Sequence, residues 1–285
     1  MTEPSETSAV RPIGVFDSGL GGLTVLRQMM ERLPGEDFIY LGDSARVPYG
    51  TKSPQTVRRF ALEDAAFLER FAPKVLVVAC NTASAVALPE LRAATAAEVV
   101  GVVAPAAERA VDLARGGPIA VIGTEATIAS GAHRQAIATI DANIEVAAVA
   151  APLLVPIVEE GRGQDDPVVL AVLSDYLSPL QRLRPTVLIL GCTHYPLLTR
   201  AIGKLMGPGT HLLDPAEAVA EVVERRLRQR ALLNPQRQGT LRCFSTDTAE
   251  RFARLARRFL GREVAEVSWV GTDELAGAGR EAVDA

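Results

Sequence analysis

The sequence predicts an α/β protein made of two pseudo-symmetric doubly wound domains, with mainly parallel sheets and an active-site cleft between them. Apolar runs of strand length alternate with helix-patterned segments along most of the 285 residues, which argues for βαβ units. The register also repeats. Ile13-Gly-Val-Phe-Asp17-Ser18-Gly19 is similar to Ile119-Ala-Val-Ile-Gly123-Thr124-Glu125, and Val75-Leu-Val-Val-Ala-Cys80-Asn81-Thr82 is similar to Val187-Leu-Ile-Leu-Gly-Cys192-Thr193-His194. A duplicated pair of doubly wound domains sets equivalent strand ends opposite one another across a cleft.

Taken in order, the apolar runs predict strands over 13–16, 38–41, 75–80, 99–103, 119–122, 144–149, 187–192 and 211–213. Between them, 23–33, 54–71, 83–94 and 157–182 carry helical periodicity and charge. The stretch 215–232 reads as a long helix, and 240–245 and 265–270 as two strands that return to complete the first domain. The expected division is therefore 1–105 with 212–285 as the first domain and 106–211 as the second. Residues 1–11, polar and Pro-containing, are expected to form a disordered tail.

Composition narrows the function classes. An apolar content of 48% is ample for buried cores. The net charge of −4 and interspersed arginines and glutamates offer no electrostatic footprint for nucleic acid. The amino terminus lacks the basic start and apolar core of a signal peptide. The most apolar stretch, 146–158, contains Pro152 and Pro156 and is too short for a membrane span of about 20 residues. A cytoplasmic protein with no membrane partner is expected. Its cysteines, Cys80, Cys192 and Cys243, are odd in number and far apart, so free thiols are expected rather than a disulfide framework.

Asp17-Ser18-Gly19-Leu20-Gly21-Gly22 closes the first strand and opens a helix. Its glycines permit a tight turn and bare N–H groups at a positive helix end, suited to an anion such as a carboxylate. The spacing is neither the dinucleotide fingerprint nor a Walker A loop, because Leu20 stands where a lysine is required. Without more, such a loop is simply a strand-to-helix turn; Asp17 adds weight, because a carboxylate at an apolar strand end needs a partner or a task.

A single buried cysteine is ordinarily a small hydrophobe. Cys80, however, is followed by Asn81, Thr82 and Ser84, and a thiol at a helix N-terminus is expected to have its pKa lowered from ~8.5 toward neutrality, where a general base works. Cys192 is followed by Thr193 and His194, and His194 is either a satisfied core histidine or a group that orients the thiol and exchanges protons with it. Two thiols offered to one cleft can take a proton from one side of a carbon and return one from the other, which points to racemisation. A zinc site from Cys80, Cys192 and His194 lacks the usual ligand spacing. Pyridoxal phosphate requires a Schiff-base lysine, and Lys52, Lys74 and Lys204 have no phosphate-cradling loop beside them, so no cofactor and no metal are expected. In the loop 43–51, Tyr49 and Gly50 either contact a ligand or cover the core; of Glu159 and Glu160, at most one is expected to be functional. Cys243 lacks a polar cluster and is expected to be structural.

Together the motifs Phe-Asp17-Ser18-Gly-Leu-Gly-Gly, Pro48-Tyr49-Gly50, Ala-Cys80-Asn81-Thr82-Ala-Ser, Val-Pro-Ile-Val-Glu159-Glu160-Gly and Gly-Cys192-Thr193-His194-Tyr-Pro resemble the glutamate racemases of the aspartate/glutamate racemase superfamily, over nearly the whole chain. The resemblance implies a cofactor-independent racemase that interconverts L-glutamate and D-glutamate and supplies the latter for peptidoglycan. It implies Cys80 and Cys192 as the opposed acid/base pair, Asp17 assisting the first, and His194 with Glu159 assisting the second. It further implies substrate contacts from Asp17, Ser18, Tyr49, Gly50, Asn81, Thr82, Thr193 and His194, with Thr124 as a further hydroxyl, and a homodimer. An aspartate or hydantoin racemase of the same superfamily is the alternative among enzymes, and an amino-acid-binding regulator, such as a gyrase inhibitor, the alternative outside them.

Overall fold

A computed structural model describes residues 6–235 and 238–283. Ten strands form two sheets: β1 (Ile13–Asp17), β2 (Phe38–Gly42), β3 (Val75–Val78), β4 (Glu98–Gly101), β5 (Ile119–Gly123), β6 (Val146–Ala150), β7 (Val187–Gly191), β8 (His211–Leu213), β9 (Leu241–Ser245) and β10 (Val267–Trp269). The first sheet has the order β10-β9-β2-β1-β3-β4 and the second β6-β5-β7-β8. Each neighbouring pair runs parallel. Every residue of β1, β2, β3, β5 and β7 is buried, as expected of strands covered by helices on both faces.

The repeat in the sequence is a repeat in topology. The order β2-β1-β3-β4 in one sheet matches β6-β5-β7-β8 in the other, with Ile13 opposite Val75 and Ile119 opposite Val187. β1 and β5 are thus equivalent, as are β3 and β7, the strands that lead to Cys80 and Cys192. In each sheet the order reverses about β1 or β5, and the carboxyl ends of strands flanking such a reversal are where doubly wound folds bind ligands.

The helices start where side chains satisfy their open N–H groups. Ser53 caps Pro54–Glu69, Asp166 caps Pro167–Leu183 and Asp214 caps Pro215–Gln229, each with proline in the first turn. Three expectations are corrected. The helix expected over 157–182 is two, Leu154–Glu159 and Pro167–Leu183, because Gly161 adopts φ +88° and ends the first. The helix expected over 83–94 breaks at Ala87, ahead of Pro89, into Asn81–Val86 and Leu88–Ala94. The strand expected over 99–103 stops at Gly101, and Val103–Ala114 is helix. Of the expected tail, 1–5 lie outside the described residues, while Glu6–Ala9 forms a short helix. No helix among the described residues is long and apolar enough to cross a membrane.

At the amino ends of the strands, far along the sheet from the cysteines, Lys74 is 6% exposed. It pairs with the buried Glu36 and donates to the carbonyls of Ala9 (2.6 Å) and Leu232 (2.9 Å). Lys74→Met strands the Glu36 carboxylate and is expected to cost about 3–5 kcal/mol, with part of the loss recovered by adding Glu36→Gln. The measurement is urea unfolding, and a change within the ~0.5 kcal/mol of an ordinary surface substitution would deny the pair any structural weight.

Candidate active site

Asp17 ends β1 and is 1% exposed. Its Oδ2 accepts from the N–H of Gly19 at 3.1 Å, while Oδ1 has no hydrogen-bond partner. Burial raises its pKa, against the charge of His194 and the N–H groups of Gly22 and Gly19. Cys80 follows β3 and caps Asn81–Val86; its Sγ accepts from the N–H of Ala83 at 3.5 Å and its thiol lies 3.6 Å from Ser18 Oγ. The helix end therefore contacts the sulfur as expected, yet it does not acidify the thiol. Burial pushes Cys80 up to about 12, and Asp17 adds to the push, outweighing the N–H of Ala83 and the contacts of Ser18. Asn81 and Thr82 are buried beside it, and Asn81 Oδ1 is a second acceptor without a partner. Ser84 is spoken for: its Oγ accepts from the N–H groups of Val102 (3.0 Å) and Val103 (3.4 Å).

On the second sheet, Cys192 follows β7 and is 6% exposed. Its Sγ lies 3.9 Å from Nδ1 of His194, whose Nε2 lies 3.0 Å from Glu159 Oε1. Burial alone pulls the imidazole down, but its hydrogen bonds with Cys192 and Glu159 prevail and bring it up to about 10. The ring thus lies between the Cys192 sulfur at Nδ1 and the Glu159 carboxylate at Nε2, and both contacts favour its protonated form. Burial raises Glu159, but the hydrogen bond and charge of His194, with the charge of Arg251, carry it below the usual carboxylate value. Glu160 points elsewhere and pairs with Arg162 at 3.3 Å.

Two seams join the sheets at this edge. A Cβ on Gly21 would lie 2.1 Å from Thr193 Oγ1 and 2.7 Å from His194 Nδ1, so the glycine loop of β1 presses directly on the segment after β7. In the second seam, Thr82 Oγ1 lies 2.9 Å from Thr124 Oγ1 and 3.2 Å from Thr127 Oγ1, and the last two are 2.9 Å apart. Gly50 abuts the same place, since a Cβ there would lie 2.4 Å from that of Thr124. Part of the glycine loop's hydrogen-bonding capacity is used within the loop, where the N–H of Gly19 donates to Asp17 Oδ2. The N–H groups of Leu23 and Thr24 bond back to Leu20 (3.1 Å) and Gly21 (3.0 Å).

The structure sets Asp17, Ser18, Asn81 and Thr82 beside Cys80, Thr193, His194 and Glu159 on the side of Cys192, and Thr124 against Thr82. Tyr49 differs. Its hydroxyl bonds the buried carboxylates of Asp43 and Asp64, with Arg46 on the same pair, so only the main chain at Tyr49 and Gly50 remains for a ligand. Burial raises Asp64 well above the usual carboxylate value, with Asp43 adding to it and Arg46 and the Tyr49 hydroxyl opposing it. Cys243 is buried in the core on β9, away from polar clusters. Sequence pattern does not single out Thr127, although its spacing of three from Thr124 is that of a helix cap: Thr124 Oγ1 accepts from the N–H of Thr127 at 3.3 Å.

The family model described as Asp/Glu/Hydantoin racemase matches residues 13–223. A glutamate racemase of Geobacter metallireducens is 48% identical over 264 residues, covering 92% of this chain and 97% of its own. Among solved structures, a glutamate racemase of Bacillus anthracis superposes with a TM-score of 0.88 at 38% identity, covering 92% of this chain and 97% of that one. A glutamate racemase of Francisella tularensis in complex with D-glutamate superposes with 0.87 at 37% identity, covering 93% and 99%.

Because the Cys80 thiol is pushed up to about 12, a variant carrying Cys192→Ser and Cys243→Ser is expected to show no thiolate absorbance near neutral pH. Ultraviolet titration of that variant checks this; absorbance developing around the ordinary thiol value of about 8.5 would contradict it. Gly21→Ala, which drives a methyl into Thr193 and His194, is expected to disturb the His194 ring resonances strongly while the protein remains folded by circular dichroism.

Proposed function

The chain belongs to the Asp/Glu/hydantoin racemase family, and we propose that it interconverts L-glutamate and D-glutamate without a cofactor, Cys80 and Cys192 serving as the two acid/base groups. The observation that carries the proposal is the equivalence of the two thiols: each leaves the carboxyl end of a matching strand, and Asp17 and His194, which feel one another electrostatically, link the two. In each turnover one sulfur, as thiolate, takes the Cα proton and the other, as thiol, gives one to the opposite face, so the pair ends with its protonation reversed. The His194 imidazolium, braced by Glu159, serves a thiolate at Cys192. A neutral Cys80 serves as the matching acid.

The polar groups suit an amino acid zwitterion. Asp17 Oδ1 and Asn81 Oδ1 are buried acceptors lacking a donor, which an ammonium group supplies. That incoming charge also offsets the anionic, desolvated surroundings that hold the Cys80 proton, so substrate itself prepares the thiol for ionisation. Hydroxyls of Ser18, Thr82, Thr124 and Thr193 and main-chain groups at Tyr49 and Gly50 then serve the carboxylates, and closure around the substrate excludes water from the carbanion-like species. Both sulfurs are nearly sealed, so substrate access requires the halves to part, 1–105 with 212–285 moving against 106–211. Lys74, buried in its ion pair at the other end of the sheet, is no Schiff-base candidate. The reading extends to a cytoplasmic homodimer that supplies D-glutamate for peptidoglycan.

With no added cofactor, the circular dichroism of L-glutamate is expected to decay to zero while that of L-aspartate persists; the reverse selectivity would favour an aspartate racemase. Cys80→Ala and Cys192→Ala are each expected to lower racemisation by about 10²–10⁴-fold in both directions. Full activity in either variant would sink the two-thiol mechanism.

A further inference from the structure

The Glu159 carboxylate matters only while it faces His194, yet the chain around it has little of its own to hold it there. The helix Leu154–Glu159 is six residues long and ends at this residue. Beyond it the backbone turns at Gly161, at φ +88°, with the N–H of Glu160 on Pro156 (2.9 Å) and that of Gly161 on Val158 (3.0 Å). Glu159 keeps a side-chain exposure of 20%, so water competes for its carboxylate.

The restraint comes from the first sheet's side of the molecule. The helix Ala249–Leu260, which follows β9, carries Arg258, whose Nη1 donates to the carbonyl of Val158 at 2.8 Å and whose Nη2 donates to that of Arg162 at 2.9 Å. A guanidinium is a planar fork, and here its two arms close the turn that contains Glu159, with its charge at a helix C-terminus. The next residue, Phe259, sets its ring edge-on to His194, with centroids 5.3 Å apart. Two turns earlier, Arg251 acts on Glu159 through its charge. One helix thus addresses both members of the pair.

We infer that Arg258 is a positioning residue: by bridging the carbonyls of Val158 and Arg162 it keeps the Glu159 carboxylate on His194 Nε2, and through that contact it controls the imidazole beside Cys192. Its bearing on turnover rests on the racemase reading; its bearing on His194 does not. The ionisable groups acting on the ring are Cys192 from its own segment, Glu159 from the helix Leu154–Glu159 and Asp17 from β1. From the helix Ala249–Leu260, Arg251 and Arg258 act by way of Glu159. Freeing Glu159 removes one of the groups that hold His194 up, so the ring must titrate lower.

The chain has three histidines, which makes the imidazole NMR titration tractable. In the full-length protein His194 is expected to titrate near about 10, and in Arg258→Ala about one unit or more lower. Arg258→Lys, with one donor group in place of a fork, is expected to fall between them, and remains the test if the alanine variant does not fold. In the glutamate assay the same variants are expected to lose about tenfold in kcat, with KM within about twofold, and added guanidinium to recover part of the loss. An unchanged His194 titration in Arg258→Ala, or in Arg258→Lys where that variant alone folds, overturns the inference even if the wild type racemises glutamate. A lowered titration in a protein that does not racemise glutamate instead leaves the inference standing and removes the functional reading.

Discussion

Everything at this site depends on how closely the turn after β1 approaches the segment after β7. The approach is possible only because position 21 has no side chain: a single methyl would lie 2.1 Å from Thr193 Oγ1. The neighbouring glycines are packed for the same reason. A Cβ at Gly22 would lie 2.5 Å from that of Asp17, and one at Gly42 would lie 2.5 Å from the carbonyl of Gly19. The glycine run is therefore a contact surface that brings Asp17 toward His194, and its conformational freedom is secondary to its lack of bulk. The threonine seam at Thr82, Thr124 and Thr127 fixes a second point, and two points suffice to hold the edges of two sheets in register.

The two sides of the site so formed differ electrically. Around Cys80 the groups are acidic and cut off from water: Asp17, whose proton affinity burial raises, and Tyr40, which burial raises further, with Asp17 and Cys80 adding to it. Around Cys192 the dominant charge is a cation, the imidazolium of His194, held by Glu159 and edged by Phe259. One thiol keeps its proton because ionising would place a second anion in an apolar wall, and the other has a cation ready beside it. A helix terminus, with the weak local field of a six-residue helix, does not overturn that balance at Cys80.

Much of this was legible in the sequence. Apolar runs ending in Asp17, Cys80, Gly123 and Cys192 carried the strand ends, and their paired resemblance carried the duplication, because parallel strands buried on both faces have no choice but to be continuously apolar. What pattern alone missed shares a cause. The break at Gly161 is a backbone conformation, and the helix Ala249–Leu260 was passed over between two expected strands, although its arginines and phenylalanines alternate with helical spacing. The ionisation of Cys80 was misjudged because burial, which decides it, is a property of the assembled halves. Tyr49 was undecidable from composition, since the carboxylate at Asp64 that claims its hydroxyl lies 15 residues away in the chain.

The duplication of the fold with unlike helpers at each thiol has a thermodynamic corollary. Enantiomers are equal in free energy in water, so the specificity constants for the two directions must be equal whatever surrounds each sulfur. Under the proposed two-thiol reaction, unlike surroundings therefore cannot favour one direction at low concentration of amino acid. Their asymmetry would show elsewhere: in which enantiomer accumulates on the protein when both are abundant, and in which sulfur of the free protein carries the proton.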